Sequence, residues 1–246
     1  MSPRALLLQA RHQDDPARPR EARSFADYSG LPEHRLECHD LLTGPPSLAR
    51  VRSFDLLLIG GSGEFYVSKG HLPHQERLFD LLRDITAVGH PTFASCFGYQ
   101  CLVEALGGKI VHDPESLEVG TKTLELTTAG QDDPLFRQLP ARFRAQMGRK
   151  DRAVELPSGY VNLASSELCP QQGFRVPGQA IWASQFHPEL DGDENRRRFE
   201  RYLEGYAAAM SREEREEALA SFHPSPEANT LLRAFMDLVF PISQGG

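Results

Sequence analysis

A cysteine stands where an apolar strand candidate runs straight into a helix candidate, in residues 91–100 (PTFASCFGYQ). At such a junction Cys96 sits at the positive end of a helix dipole, among amides without an intrahelical acceptor. Both favour thiolate over thiol. Gly98 lacks a Cβ, so the helix can lie close against the strand. This is nucleophile-elbow logic, with sulfur in place of a serine oxygen. The local pattern equally allows a buried structural cysteine. A second group lies in residues 184–189 (SQFHPE), where His187 and Glu189 follow a strand candidate two positions apart. On an extended chain residues i and i+2 share a side. Glu189 can then orient the His187 ring as a base for the sulfur. A third group, Gly60-Gly61-Ser62-Gly63, follows the apolar run 54–59 (FDLLLI) and offers backbone N–H groups to an anion. Tyr66 occupies the last position of a G-x-G-x-x-G pattern, so the dinucleotide fingerprint fails. An oxyanion hole is the remaining use, with one N–H from the glycines and one from the residue after the nucleophile.

The elements that must hold these groups are short apolar runs alternating with helical patterns. Residues 4–9 (RALLLQ), 54–59 and 91–95 read as strands, and 34–38 as a weaker one. Residues 11–23 read as a loop with some helix after it. Leu78, Leu81, Leu82 and Ile85 have the spacing of one helix face within 74–88. Residues 97–106 form a helix stopped at Gly107-Gly108. Alternation marks 116–128 as a strand, and 160–164 and 180–184 follow. Helical spacing returns at 195–208. Ser211 with Glu214 is a capping-box pair. Ser225-Pro226 reads as an N-cap and a first-turn proline before Leu231, Leu232, Phe235, Leu238 and Val239. The pattern predicts an α/β fold, a central and mostly parallel sheet flanked by helices, with extra C-terminal helices. Residues 1–210 form one α/β domain in this reading, and 211–246 a helical extension packed on it.

Composition bounds the function. The 246 residues carry 27 Lys and Arg against 34 Asp and Glu, a net charge of −7. That balance counts against a nucleic-acid partner, which calls for a basic stripe. The first apolar run breaks at Gln9, too short for a signal peptide, and no window reaches a membrane span. A cytoplasmic location with reduced thiols follows as the expectation for Cys38, Cys96, Cys101 and Cys169. His34, Cys38 and His39 lack a second ligand pair at zinc-like spacing, so no metal is expected. Cys101 and Trp182 read as packing, and 212–217 (REEREE) as a solvated helix face.

Together these motifs resemble the class I glutamine amidotransferase domain, the triad type of glutaminase. The family's elbow runs approximately Gly-x-Cys-x-Gly-x-Gln, followed by a helix ending in Gly-Gly. Here the chain has Ala94-Ser95-Cys96-Phe97-Gly98-Tyr99-Gln100, then Gly107-Gly108. The family's His-Pro-Glu after an aromatic is matched by Phe186-His187-Pro188-Glu189, and its Gly-Gly-x loop by Gly60-Gly61-Ser62. Glu118-Val119-Gly120 and parts of 156–166 also look like family segments, and the likeness covers about residues 50 to 190. Two departures stand out. Ala94 replaces a glycine, and Arg149 stands where relatives often carry histidine.

The resemblance implies a flavodoxin-like fold and amide hydrolysis at a glutamine side chain through a γ-glutamyl thioester, releasing glutamate and ammonia. Cys96 would be the nucleophile, His187 the base and acid, and Glu189 its orienter. The amides of Gly61 and Phe97 would form the oxyanion hole, and Gly60, Gln100 and Arg149 would serve substrate binding. No cofactor is implied. Ammonia acceptor chemistry would come from a synthase partner in trans. Two alternatives remain. One keeps the machinery for γ-glutamyl peptides or conjugates, with Arg149 pairing a further substrate carboxylate. The other is a non-catalytic interaction module that uses the C-terminal helices.

Overall fold

The continuous apolar runs become strands buried on both faces. Leu6, Leu8, Leu57 and Ile59 point into one hydrophobic cluster, while Ala5, Leu7, Leu56 and Leu58 point into another. Such two-sided burial is what a parallel sheet covered by helices demands. The computed structural model describes residues 2–207 and 210–241. Its elements in chain order are β1 (Ala5–Ala10), α1 (Ala17–Ser29), β2 (Leu36–Asp40), α2 (Leu48–Val51), β3 (Leu56–Ser62), α3 (Gln75–Val88), β4 (Thr92–Ser95) and α4 (Phe97–Ala105). Next come β5 (Lys109–His112), β6 (Glu118–Leu126), α5 (Thr128–Asp132), β7 (Arg142–Arg149), β8 (Asp151–Glu155), β9 (Asn162–Ser165), β10 (Gly173–Arg175) and β11 (Ile181–Ser184). The chain continues as α6 (Gly192–Arg201), α7 (Leu203–Ala207), α8 (Arg212–Ala220), α9 (Pro226–Asn229) and α10 (Leu231–Val239). Ala208, the expected end of the 195–208 helical stretch, and 242–246 of the expected C-terminal extension lie outside the described residues.

Among the described residues the main sheet has the order β2-β1-β3-β4-β11-β10-β9-β6-β7. Its first five strands are mutually parallel, and from β11 onward neighbours run antiparallel. The expected parallel core flanked by helices is therefore present, joined to an antiparallel half. β5 and β8 pair separately. α3 and α4 pack on one face of the parallel half. On the other face α10 buries Leu231, Leu232, Phe235 and Met236. The Phe235 ring meets Phe93 and Trp182 edge-on, at centroid separations of 5.6 and 5.9 Å.

Two local readings change. Helix α1 starts at Ala17, earlier than expected, because its core-facing side carries a charge. Glu21 is fully buried there beside Phe25 and Ala26, and Arg11 pairs with it at 3.0 Å. A buried ion pair at a core position breaks the apolar period. Ser225 does not cap the helix after it. Its hydroxyl instead accepts from Gln146 Nε2 at 2.9 Å, and α9 hands over to α10 at Thr230. The Ser211–Glu214 capping box forms as the spacing predicts.

Candidate active site

Ligands of open α/β sheets bind beyond the carboxyl ends of the strands. Here β3, β4 and β11 are adjacent and parallel, and the glycine run, Cys96 and His187 lie at or just beyond their carboxyl ends. Three segments far apart in the chain thus meet at one edge.

The elbow is strained. Cys96 has φ 49° and ψ −101°, and with His74 it makes up the positive-φ non-glycine residues described. An L-residue held there costs roughly 1–3 kcal/mol. The Cys96 N–H donates to Ser184 O at 2.8 Å, which ties the elbow to the end of β11. The Cys96 carbonyl accepts from Gln100 N–H at 3.0 Å and starts α4. That leaves the Phe97 N–H among the first-turn amides without an intrahelical acceptor. Gly98 is where α4 touches β3: a Cβ there would lie 2.7 Å from Ile59 Cβ and 2.9 Å from Ile59 O. Gly98→Ala is expected to destabilise the protein by about 1–3 kcal/mol, since a backbone oxygen must move. Urea unfolding measures it, and an unchanged midpoint would show that the strand yields freely.

His187 is buried and anchored through its backbone, with its N–H donating to Gln146 O on β7 at 3.0 Å. Its Nδ1 and Glu189 Oε1 are 2.6 Å apart, and Glu189 is fully buried. The pair closes through a turn at Pro188-Glu189 rather than along the extended chain that the spacing suggested. The Cys96 side chain is near enough to the ring to favour its charged form. Burial disfavours the imidazolium, but Glu189 and then Cys96 outweigh it, and the His187 pKa is pushed up to about 10. Glu189 is held below the usual carboxylate range: burial opposes its charge, and His187 and Arg198 more than offset that.

Gly60 and Gly61, expected in a loop after the apolar run, instead lie inside β3, which runs on to Ser62, and both permit close approach. A Cβ on Gly60 would lie 2.8 Å from Glu21 Oε1, and one on Gly61 would lie 2.7 Å from His187 Cε1. Cys96, Phe97 and Gln100 border a cleft that Arg149, Lys150 and Tyr206 also line. A second hollow adjoins His187, and Tyr206 on α7 borders both.

Arg149 is paired through one edge of its guanidinium, while Nη1 is buried without a hydrogen-bond partner. Its Nε donates to Glu118 Oε2 at 3.0 Å, its Nη2 binds the same carboxylate, and both residues are buried. Gln172 Nε2 adds a third donor to that oxygen at 2.8 Å. Gln100 turns its amide toward Asp151 O and Gln185 Oε1, both at 3.1 Å. Gln185, Glu118 and Tyr206 are site residues the sequence reading did not single out. For Gln185 the signal was available, because it precedes His187 by two and shares its parity.

Residues 50–202 match the family described as Glutamine amidotransferase class-I. A GMP synthase [glutamine-hydrolyzing] from Streptococcus mutans is 29% identical over 173 residues, which are 70% of this chain and 30% of that protein. The enzyme of the same description from Bacillus mycoides is 29% identical over 176 residues, 72% of this chain and 31% of its own length. The chain thus spans less than a third of these curated relatives. A glutamine amidotransferase from Thermotoga maritima superposes with a TM-score of 0.71 at 20% identity, covering 97% of this chain and 98% of that one. One from Methylobacillus flagellatus gives 0.72 at 20% identity, with 97% and 93% covered. At that identity the two structures speak for the fold.

Proposed function

The chain belongs to the glutamine amidotransferase class-I family, and on that premise we propose that it hydrolyses the side-chain amide of glutamine with Cys96 as nucleophile, His187 as base and acid, and Glu189 as orienter. The observation that carries this reading is the hydrogen bond of Glu189 to His187, with the His187 ring beside Cys96 at a strained elbow. The sulfur attacks the amide carbon, and its proton resides on His187. The carbonyl oxygen becomes an oxyanion held by the N–H groups of Gly61 and Phe97; losing one such donor typically costs ~10²–10³ in rate. His187 passes its proton to the amide nitrogen, the C–N bond breaks, and ammonia leaves a γ-glutamyl thioester. Water then attacks the thioester carbon while His187 takes a proton from it. Collapse expels the Cys96 sulfur and yields glutamate. Acceptor chemistry for the ammonia, such as a synthase supplies, would come from outside these 246 residues.

The reading as a γ-glutamyl peptidase leaned on Arg149 as partner for an extra carboxylate, and Glu118 already binds Nε and Nη2 of that guanidinium. Glutamine is therefore the preferred substrate. The test is glutamate release from glutamine by the purified chain, with covalent labelling by an electrophilic glutamine analogue. Wild type is expected to do both and Cys96→Ser neither. Absence of both in wild type would leave an interaction module as the better account.

A further inference from the structure

We propose that Gln185 is a positioning residue that aims an amide N–H at the Cys96 sulfur, and that Gln100 fixes the direction of that amide. The inference rests on reading Cys96 as the nucleophile and adds a group to its activation. Gln185 Nε2 lies 3.6 Å from Cys96 Sγ, and its side chain is fully buried. The Gln185 main chain is held too, with its N–H donating to Gln172 O at 2.9 Å.

Which end of a glutamine amide faces a given neighbour must be argued from its partners. Here the chain of partners has one direction. It begins at the backbone carbonyl of Asp151, which can only accept. The Gln100 atom 3.1 Å from it must therefore be the amide nitrogen. That same nitrogen is 3.1 Å from the Gln185 side chain, and its second hydrogen needs an acceptor, so Gln185 presents Oε1 to it. Gln185 is left with its NH₂ toward the sulfur. Two buried amides thus transmit the polarity of a backbone carbonyl to Cys96. Gln100, expected from the resemblance to contact substrate or to support the site, takes the second role here by orienting Gln185.

A donor aimed at sulfur stabilises thiolate over thiol, and burial strengthens the preference. Residues 185, 187 and 189 alternate with Ser184, Phe186 and Pro188. Gln185 and His187 both reach the sulfur while Phe186 fills the core. The sulfur is thus served by a fixed donor and by a group that exchanges its proton.

The test follows alkylation of Cys96 against pH, read by mass spectrometry of its peptide, beside kcat and KM for glutamine. In Gln185→Met the donor is gone at similar volume. The midpoint of the alkylation profile is expected to move up by about one pH unit, with kcat at neutral pH down roughly tenfold and KM changed little. Gln185→Glu keeps an acceptor for Gln100 but replaces the donor to sulfur by a carboxylate oxygen with negative charge, so it serves if the Met variant does not fold, and its profile is expected to move further. Gln100→Leu frees the Gln185 amide to turn over and is expected to fall in between. A folded Gln185 variant with the wild-type alkylation profile overturns the proposal, whatever its kcat. Failure of the underlying reading is distinct: wild type itself would neither release glutamate nor be labelled at Cys96.

Discussion

Cys96→Gly is expected to eliminate glutamate release and yet give a more stable protein than Cys96→Ala. Removal of a nucleophile from a catalytic unit lowers kcat by on the order of 10⁴-fold or more, so both variants should be inactive. Their stabilities should part because of the backbone. At φ 49° and ψ −101° any side chain is strained, and alanine keeps the Cβ that causes the strain. Glycine removes it and relieves roughly 1–3 kcal/mol. Against that stands about 0.5–1 kcal/mol for the extra freedom of glycine in the unfolded chain. The difference leaves Cys96→Gly about 1 kcal/mol more stable than Cys96→Ala, a gap that urea unfolding resolves. Equal stability would mean that the surroundings, with Cys96 N–H on Ser184 O, hold the elbow at no local cost. The comparison separates two properties of one residue. Its sulfur serves the reaction, while its backbone angles aim that sulfur at a cost to the fold.

The parallel half of the sheet was legible because its strands are buried on both faces and punctuated by glycine. Residues 54–59 announce β3 by an unbroken apolar run ending at Gly60, and 91–98 announce the elbow by Cys96 and Gly98. The antiparallel half was harder. In β7 buried Phe143, Ala145 and Met147 alternate with Arg142 and Arg144, but Gln146 and Arg149 are buried too, because the strand's end lines the site. β10 spans only Gly173–Arg175, too few residues for a period. The start of α1 was hidden by Glu21, whose place in the core depends on Arg11, a partner ten positions earlier. At the candidate site, the contact of His187 with Glu189 was foreseen, but its route through a turn was not. Gln185 stayed unnoticed because what gives an amide a role is the atom it faces, and Cys96 is 89 positions away. The ion pair of Arg149 was hidden for the same reason: Glu118, which binds it, is 31 positions off.

Glu189→Gln is expected to lower kcat by roughly 10²–10⁴-fold, the usual worth of a positioned acid–base group, and to move the alkaline limb of the pH profile downward. The reason lies in what holds a proton on a buried imidazole. Burial alone would strip it, and the charges of Glu189 and Cys96 overrule burial to bring His187 to about 10. An amide of the same shape removes the larger of those charges, so burial regains weight and the pKa falls. The sign for stability follows. A group whose pKa is raised on folding contributes stability that is fully present below its unfolded value, near 6.5. That contribution is lost as pH climbs through about 10. Wild type should thus lose an increment of stability between those limits. Activity should fade over the upper part of the same range, because deprotonated His187 has no proton for departing ammonia. In Glu189→Gln the loss of stability should be smaller and end at lower pH, and the fall in activity should begin at lower pH. Paired urea titrations and glutamate release from pH 6 to 10 measure them. Wild-type and variant limbs that coincide would mean that Glu189 fixes only the orientation of the ring, and that Cys96 supplies the charge that keeps it protonated.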